Sequence, residues 1–131
     1  MKLDLSSFQK ALESLGEVLK LPVDSIIRDS AIQRFEYTYE LAYKMLKRYL
    51  EMSSANPSEI DGMNFKEIIR LGAEQGLIDK PENWFVYRNA RNETSHGYSE
   101  DKAISVYSHI AAFEASAQNL LNNLSEKLKT L

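Results

Sequence analysis

The segment from Trp84 to Tyr98 is unusually dense in side chains that can do chemistry. Within it, Asn92 follows Arg91 directly, and His96 and Tyr98 come shortly afterwards. A guanidinium group binds phosphate oxygens in pairs, and an imidazole exchanges protons near neutral pH. Cleavage of RNA by its own 2′-hydroxyl group needs phosphate binding and proton exchange, and it needs no metal ion. The segment is therefore a candidate site for phosphate chemistry.

A regular helix would keep the arginine and the histidine of this segment apart. On an ideal helix His96 lies about 140° from Arg91. Because Gly97 favours a left-handed C′ conformation, a helix that ends near Ser95 would let His96 turn back beside Arg91. In the alternative interpretation, Arg91 pairs with Glu93 or a helix terminus, and His96 is a surface residue. The spacing alone leaves both interpretations open.

Composition and charge restrict the kinds of site that the chain can build. The chain has no cysteine and two histidines, which excludes disulfides, thiolate catalysis and zinc sites made of thiolates or of several histidines. The net charge of −3 argues against a broad basic face for nucleic acid, because that mode neutralises many phosphates. Any contact with RNA must be local. One candidate is the stretch 28–48, where cations outnumber carboxylates, although a solvated helix face is the more common explanation of such a pattern.

The length and the apolar pattern predict one soluble helical domain. The chain has 131 residues, about one domain, and we expect a single domain over 1–131. No apolar run reaches the roughly 18 residues of a membrane span, and the N-terminus lacks a secretory signal. We therefore expect a cytoplasmic protein with no membrane partner.

Apolar residues recur at spacings of three and four along most of the chain, the period of an amphipathic helix. Asp4 can cap the first helix, the second should be the spine, and Asn64 with Glu67 resembles a capping box. No period-two pattern predicts a strand. We expect an all-α, up-and-down four-helix-type bundle with an additional short helix. The predicted helices cover residues 5–19, about 25–52, 64–76, 81–97 and 99–128.

Several other side chains receive structural interpretations. Phe35, Tyr39 and Tyr49 fit the core stripe of the second helix, whereas Tyr37 and Tyr43 are candidates for a dimer interface. Glu36 and Glu40 could hold a metal ion, yet we expect both carboxylates to be exposed partners of Lys44 and Lys47. We expect Trp84 to lie in the core and His109 to lie on the surface.

The string from Arg91 to Tyr98 resembles the signature of the HepT toxins of the HEPN superfamily: arginine, four residues, histidine, one residue, tyrosine. The stretch 32–50 resembles the long helix of the nucleotidyltransferase substrate-binding proteins, an older name for the same family. The similarity covers roughly residues 25–125. It implies a HEPN-like bundle that forms two-fold homodimers, in which two motifs meet in a cleft.

The resemblance also implies a role for each residue of the motif. His96 would be the general acid or base, and Arg91 would steady the scissile phosphate. Asn92 would help to orient them. Tyr98 would be the residue that a partner nucleotidyltransferase adenylylates to silence the toxin. Neither a cofactor nor a metal is implied.

Three functions follow as expectations. The first is a metal-independent endoribonuclease that acts on RNA, the toxin of a toxin–antitoxin pair whose MNT-type nucleotidyltransferase antitoxin is encoded separately. The second is a non-catalytic substrate-binding subunit of a two-component nucleotidyltransferase. The third is a dimerisation module in which the motif is structural. The chain lacks the Gly-Ser and paired acidic residues with which nucleotidyltransferases hold magnesium, so it is not itself the transferase.

Overall fold

The three-and-four apolar spacing produces helices throughout residues 3–97 and 99–130, the ranges that the computed structural model describes, and no strand lies within them. The all-α prediction is therefore confirmed. The helices are α1 (Ser6–Leu19), α2 (Ser25–Ser53), α3 (Pro57–Asp61), α4 (Phe65–Glu74), α5 (Pro81–Glu93), α6 (Glu100–Tyr107) and α7 (Ile110–Leu128).

The 29-residue helix α2 is the spine of the bundle. Its first turn is capped by Asp24, whose carboxylate accepts a hydrogen bond from the backbone N–H of Ile27 at 2.7 Å. Helix α2 contacts every other helix of the described chain. The predicted end at Met52 is one residue short of the observed end. Because all other helices pack on α2, their positions relative to one another depend on it.

An aromatic cluster fixes α5 and α7 against α2. The ring of Phe113 lies at its centre, with ring centroids 5.0 Å from Phe35, 5.3 Å from Tyr87 and 5.9 Å from Trp84. These four rings are at most 3% exposed, and the pairs meet edge to face, the geometry that aromatic rings prefer. The predicted core positions of Phe35 and Trp84 are confirmed. Through Trp84 and Tyr87 the cluster holds the helix that carries Arg91.

The last predicted helix, residues 99–128, is divided into two helices in the structure, α6 and α7. The backbone N–H of His109 donates to the carbonyl of Val106 at 3.0 Å, three residues back instead of four, so the chain tightens into a turn at Ser108 and His109. Val106 and Ile110, on either side of the break, are both buried, so the apolar spacing of the sequence continues across it. For this reason the prediction of one continuous helix was wrong. His109, half-buried beside this turn, is less exposed than expected.

Two short helices connect α2 to α5. Helix α3 begins at Pro57, within a stretch that the sequence indicated as loop. The predicted capping box of α4 is confirmed: the Asn64 side chain accepts from the Glu67 backbone at 2.9 Å, and the Glu67 carboxylate accepts from the Asn64 backbone at 3.1 Å. Gly76, just beyond α4, has a φ of 75°, a conformation that glycine adopts without steric cost.

The capping box predicts a measurable loss of stability. Replacing Asn64 by alanine removes the acceptor of the Glu67 N–H, so the free energy of unfolding should fall by about 1 kcal/mol. Urea denaturation followed by circular dichroism measures this change. Asn64→Asp keeps an acceptor oxygen and should remain within about 0.5 kcal/mol of the parent. An equal loss in both variants would show that the cap is not the cause.

Candidate functional site

The candidate site begins where α5 ends. After Glu93, the backbone N–H of Ser95 donates to Asn92 and that of His96 donates to Glu93, each three residues back, at 3.2 and 3.3 Å. Gly97 then reverses the chain with a φ of 83°. The predicted left-handed conformation at Gly97 is confirmed, and the helix ends slightly earlier than Ser95. This turn exposes Asn92 and His96 at one end of the bundle.

Arg91 is held by a carboxylate on α2. Its Nε lies 2.8 Å from Oε1 of Glu40, and because the N–H is not directed at that oxygen the contact is an ion pair and not a hydrogen bond. Nε itself is shielded from solvent. The Arg91 side chain is 30% exposed, so a substrate can reach part of it.

Glu40 is the site residue that the sequence interpretation missed. It was expected to pair with Lys44 on its own helix, and Arg91 was expected to face Glu93 if it had a structural role. Instead Glu40 pairs across the α2–α5 interface with Arg91. No sequence pattern marks this contact, because the two residues are far apart along the chain. Glu36, one turn earlier on α2, lines a neighbouring cavity.

The structure places Arg91 and Asn92 in the last turn of α5 and His96 in the turn that follows it. Within the described ranges, the His96 imidazole makes no hydrogen bond or ion pair. It is exposed and therefore open to a substrate. The approach of His96 to Arg91 within one chain stays a prediction. The fourth residue of the motif, Tyr98, lies outside the described residues.

Tyr39 and Tyr43 face Arg88, the basic residue one turn before Arg91. Burial raises the pKa of both hydroxyl groups, and the nearby Arg88 guanidinium only partly opposes this rise. Both tyrosines therefore stay protonated at neutral pH and are poor bases. Tyr43 packs on Phe65 at 5.3 Å between ring centroids, so its predicted interface role is weakened by a partner in its own chain.

A cavity of about 330 Å³ lies between α2, α6 and the turn after α5. Gly97 and Ser99, which flank Tyr98, both line it. Its lining also includes three carboxylates, one lysine and several apolar side chains: Asp29, Glu36, Glu93, Lys102, Ile32, Ala103 and Val106. Because the carboxylates outnumber the lysine, the charge of the lining disfavours a bound phosphate.

The stretch 28–48 is not one basic face. The Arg34 guanidinium donates to the carbonyl of Ser14 at 2.7 Å and so stabilises the α1–α2 contact. The Arg28 side chain is only 13% exposed and lies 3.8 Å from Glu100. Two of the cations in this stretch are therefore engaged within the molecule. The other three cations of the stretch, Lys44, Lys47 and Arg48, lie in the second half of α2 at exposed or half-buried positions.

Among residues 3–97 and 99–130, no group of three or more histidine, cysteine, aspartate or glutamate residues could hold a metal ion. No helix among the described residues has both the length and the apolarity to span a membrane. The groups left to do chemistry at the end of α5 are the guanidinium, the imidazole and their polar neighbours.

The Arg91–Glu40 ion pair predicts a positioning role for Glu40. Glu40→Gln removes the charge that lies against Arg91. If Arg91 binds the scissile phosphate, as the family resemblance implies, a small misplacement of its guanidinium is costly, and the turnover number for the expected RNA cleavage should fall roughly tenfold. The unfolding free energy should change by less than about 1 kcal/mol, because the pair is exposed. Single-turnover and saturation kinetics separate this fall from a change in KM.

Glu36→Gln is the matched control, since it removes the same charge one helical turn away without touching Arg91. It should leave the turnover number within about twofold of the parent. Equal losses in the two variants would mean that overall charge, and not the position of the Arg91 guanidinium, sets the rate.

Known proteins match the chain over almost its whole length. The family model described as nucleotidyltransferase substrate binding protein like matches residues 3–126. A Haemophilus influenzae protein named probable ribonuclease HepT is 36% identical over 138 residues, which cover 96% of this chain and 94% of that protein.

Two solved structures share the fold. One is a Haemophilus influenzae protein described as having the fold of a substrate binding domain of a nucleotidyltransferase, with a TM-score of 0.87 and 34% identity over 93% of this chain and 99% of that chain. The other is a Thermus thermophilus protein with a TM-score of 0.78 and 31% identity over 89% and 98%. By family model, sequence and fold, the chain belongs to the nucleotidyltransferase substrate-binding protein family, the HepT-like group of the HEPN superfamily.

Proposed function

We propose that the protein is a metal-independent endoribonuclease whose site is built on Arg91 and His96. The observation that carries this proposal is the end of α5, where an exposed histidine follows five residues after an arginine whose side chain is 30% exposed. Asn92, also exposed there, can orient the substrate or the imidazole by hydrogen bonds. The name of the Haemophilus influenzae relative, probable ribonuclease HepT, supports the same activity.

The proposed reaction uses the substrate's own nucleophile. His96 accepts the proton of a 2′-hydroxyl group, whose oxygen attacks the adjacent phosphorus while the bond to the 5′-oxygen breaks. The leaving oxygen takes up a proton from an imidazolium group or from water. Arg91 forms paired hydrogen bonds to the phosphate oxygens and stabilises the negative charge that develops on them. The products are a 2′,3′-cyclic phosphate and a 5′-hydroxyl end.

The proposed active unit is a homodimer. A second copy that faces the same RNA strand would bring a second Arg91 and a second His96 to the scissile phosphate. A two-fold axis near the end of α5 would place two copies of the motif in one cleft. Light scattering on the purified protein tests the dimer, and a monomer at all concentrations that support cleavage would contradict it.

The proposed control is adenylylation of Tyr98 by a separately encoded nucleotidyltransferase, which makes the pair a toxin and its antitoxin. The tyrosine oxygen would attack the α-phosphate of ATP, and pyrophosphate would leave. The phosphodiester adds a negative charge two residues from His96, which would repel the RNA backbone.

Intact mass of the protein co-expressed with its partner measures this modification. We expect the mass to rise by one or more AMP groups in the parent and to remain unchanged in Tyr98→Phe. An unchanged mass in the parent would remove the proposed control, and a modified Tyr98→Phe protein would place it on another residue.

A non-catalytic substrate-binding subunit is the second candidate function. The observation that favours it is the match to a solved structure described as having the fold of a substrate binding domain of a nucleotidyltransferase. This candidate predicts a tight complex with a nucleotidyltransferase and no RNA cleavage by either free or complexed protein.

End-group analysis tests the proposed reaction. Transfer RNA is incubated with the protein in excess chelator, and the fragments are treated with phosphatase before and after acid opening of cyclic phosphates. We expect 5′-hydroxyl ends and 3′ ends that resist phosphatase until acid treatment. RNA methylated at every 2′-oxygen should not be cut. Fragments with 5′-phosphate ends would contradict the mechanism.

A further inference from the structure

Cations and aromatic rings form a continuous surface on α4 and α5, next to the candidate site. We define the basic–aromatic strip as Phe65, Lys66, Arg70, Phe85 and Arg88. The Cζ of Arg88 lies 4.4 Å from the centroid of the Phe65 ring, and the Lys66 Nζ and Arg70 Cζ each lie 5.6 Å from that of Phe85. The two ring centroids are 6.2 Å apart. The three cations are exposed and both rings are half-buried.

The cations of the strip are not neutralised by the protein. Among the described residues, no carboxylate comes within 4.0 Å of Lys66, Arg70 or Arg88. The nearest carboxylate along α4, Glu67, accepts the backbone N–H of Asn64 and is thereby directed towards the start of the helix. The strip is therefore a local positive surface on a chain whose net charge is −3.

The strip leads to the candidate site along α5. On an ideal helix Phe85, Arg88 and Asn92 lie within about 60° of one another, and Arg91 is one turn beyond Arg88. The axial rise from Phe85 to Arg91 is about 9 Å. That length corresponds to roughly two or three stacked nucleotides at 3.4 Å each. A strand lying on the strip would thus reach Arg91 without a gap.

We propose that the basic–aromatic strip binds single-stranded RNA and leads it to Arg91 and His96. The direction towards a cleavage site rests on the proposed function, whereas the binding does not. Aromatic rings offer faces on which bases stack without sequence preference, and nearby cations bind the phosphates. The flexible side chains of Lys66 and Arg70, which now cover Phe85, can move to phosphates and open that ring to a base. Both chemistries of single-strand binding are therefore present.

A second copy of the chain fits this surface less well. A two-fold contact presents the same patch from both copies, so it would bring the three unpaired cations of one strip against those of the other. Like charges facing each other cost free energy. A polyanion removes that repulsion, which is why RNA is the occupant that the charge favours.

Binding is measured by fluorescence anisotropy with a fluorescein-labelled single-stranded RNA of mixed sequence, in the His96→Ala background so that the probe stays intact. The strip variant carries Lys66→Gln, Arg70→Gln and Arg88→Gln. The charge-matched control replaces three exposed lysines by glutamine: Lys10 on α1, Lys20 directly after α1 and Lys127 near the end of α7. We expect the strip variant to bind at least about tenfold more weakly, and the slope of log K against log salt to become shallower by about two. The control should stay within about twofold of the parent.

A stacking variant tests the aromatic part separately. Phe85→Leu keeps an apolar side chain but removes the ring face, and we expect binding to weaken roughly tenfold with an unchanged salt slope. Circular dichroism melts establish that each variant is folded. If the triple variant unfolds, Lys66→Gln with Arg70→Gln, both on exposed α4 positions, keeps the test and should bind at least about threefold more weakly.

The outcomes separate this inference from the proposed function. Equal weakening in the strip and control variants, unchanged binding in the strip variant, or no binding by the parent would each overturn the strip. A change of mass in light scattering that is confined to the strip variant would also overturn the strip, since it would identify an interface between copies.

If the His96-containing protein cuts RNA while the strip variant binds RNA normally, the proposal of the strip fails and the ribonuclease proposal does not. If the strip variant loses binding while the parent never cuts, the strip stands and the ribonuclease proposal fails.

Discussion

Replacing His96 by alanine is expected to slow RNA cleavage by about 100- to 10,000-fold, the usual contribution of one general acid or base. The imidazole is exposed and makes no hydrogen bond or ion pair with the described residues. Its removal should therefore leave the unfolding free energy within about 0.5 kcal/mol of the parent. Cleavage rates at saturating enzyme and urea denaturation measure the two quantities. A large fall in rate without a change in stability is the signature of a catalytic role.

His109→Ala is the matched control for this result. His109 is the other histidine of the chain and lies at the start of α7, outside the motif. Its replacement should leave the cleavage rate within about threefold of the parent. A rate in His96→Ala that remains within about threefold of the parent would exclude His96 as the general acid or base.

Replacing Phe113 by alanine is expected to lower the unfolding free energy by about 3–5 kcal/mol. Phe113 has no exposed surface and contacts the rings of Phe35, Trp84 and Tyr87. The cavity left behind would remove one face from each of those contacts. Because a typical domain is stable by about 5–15 kcal/mol, the variant should lose a large part of its stability, and its Tm should fall by about 10 °C or more.

Val86→Ala is a suitable comparison, since Val86 is on α5 but is 41% exposed. It should cost less than about 1 kcal/mol. Thermal denaturation followed by circular dichroism distinguishes the two variants. Similar Tm values for Phe113→Ala and Val86→Ala would show that the aromatic cluster does not hold α5 in place.

The helices that the sequence predicted well are those with both a clear apolar stripe and a local end signal. Helix α2 begins after the Asp24 cap, α4 begins with the Asn64 capping box, and the turn after α5 contains Gly97 at a positive φ. These signals act within a few residues, so they can be read from neighbouring letters. The break at His109 has no such signal, and one continuous helix was the natural but wrong prediction.

The candidate site was only partly predictable, for the same reason. Arg91, Asn92 and His96 lie within six residues of one another in the chain, and their residue types indicate phosphate chemistry. Glu40 reaches Arg91 across two helices, and the rings of Phe65 and Phe85 meet across two others. Contacts of this kind depend on how helices pack, and no spacing rule within one segment reveals them. The assignment of His96 and Arg91 to catalysis stays a prediction.

The most direct test of the central claim uses protein made without any partner, labelled transfer RNA, mixed cellular RNA and excess chelator, with the parent and His96→Ala side by side. We expect cleavage by the parent and none by the variant. If neither protein cuts RNA while both remain folded dimers, the ribonuclease proposal is contradicted, and the chain acts instead as a binding subunit for a nucleotidyltransferase.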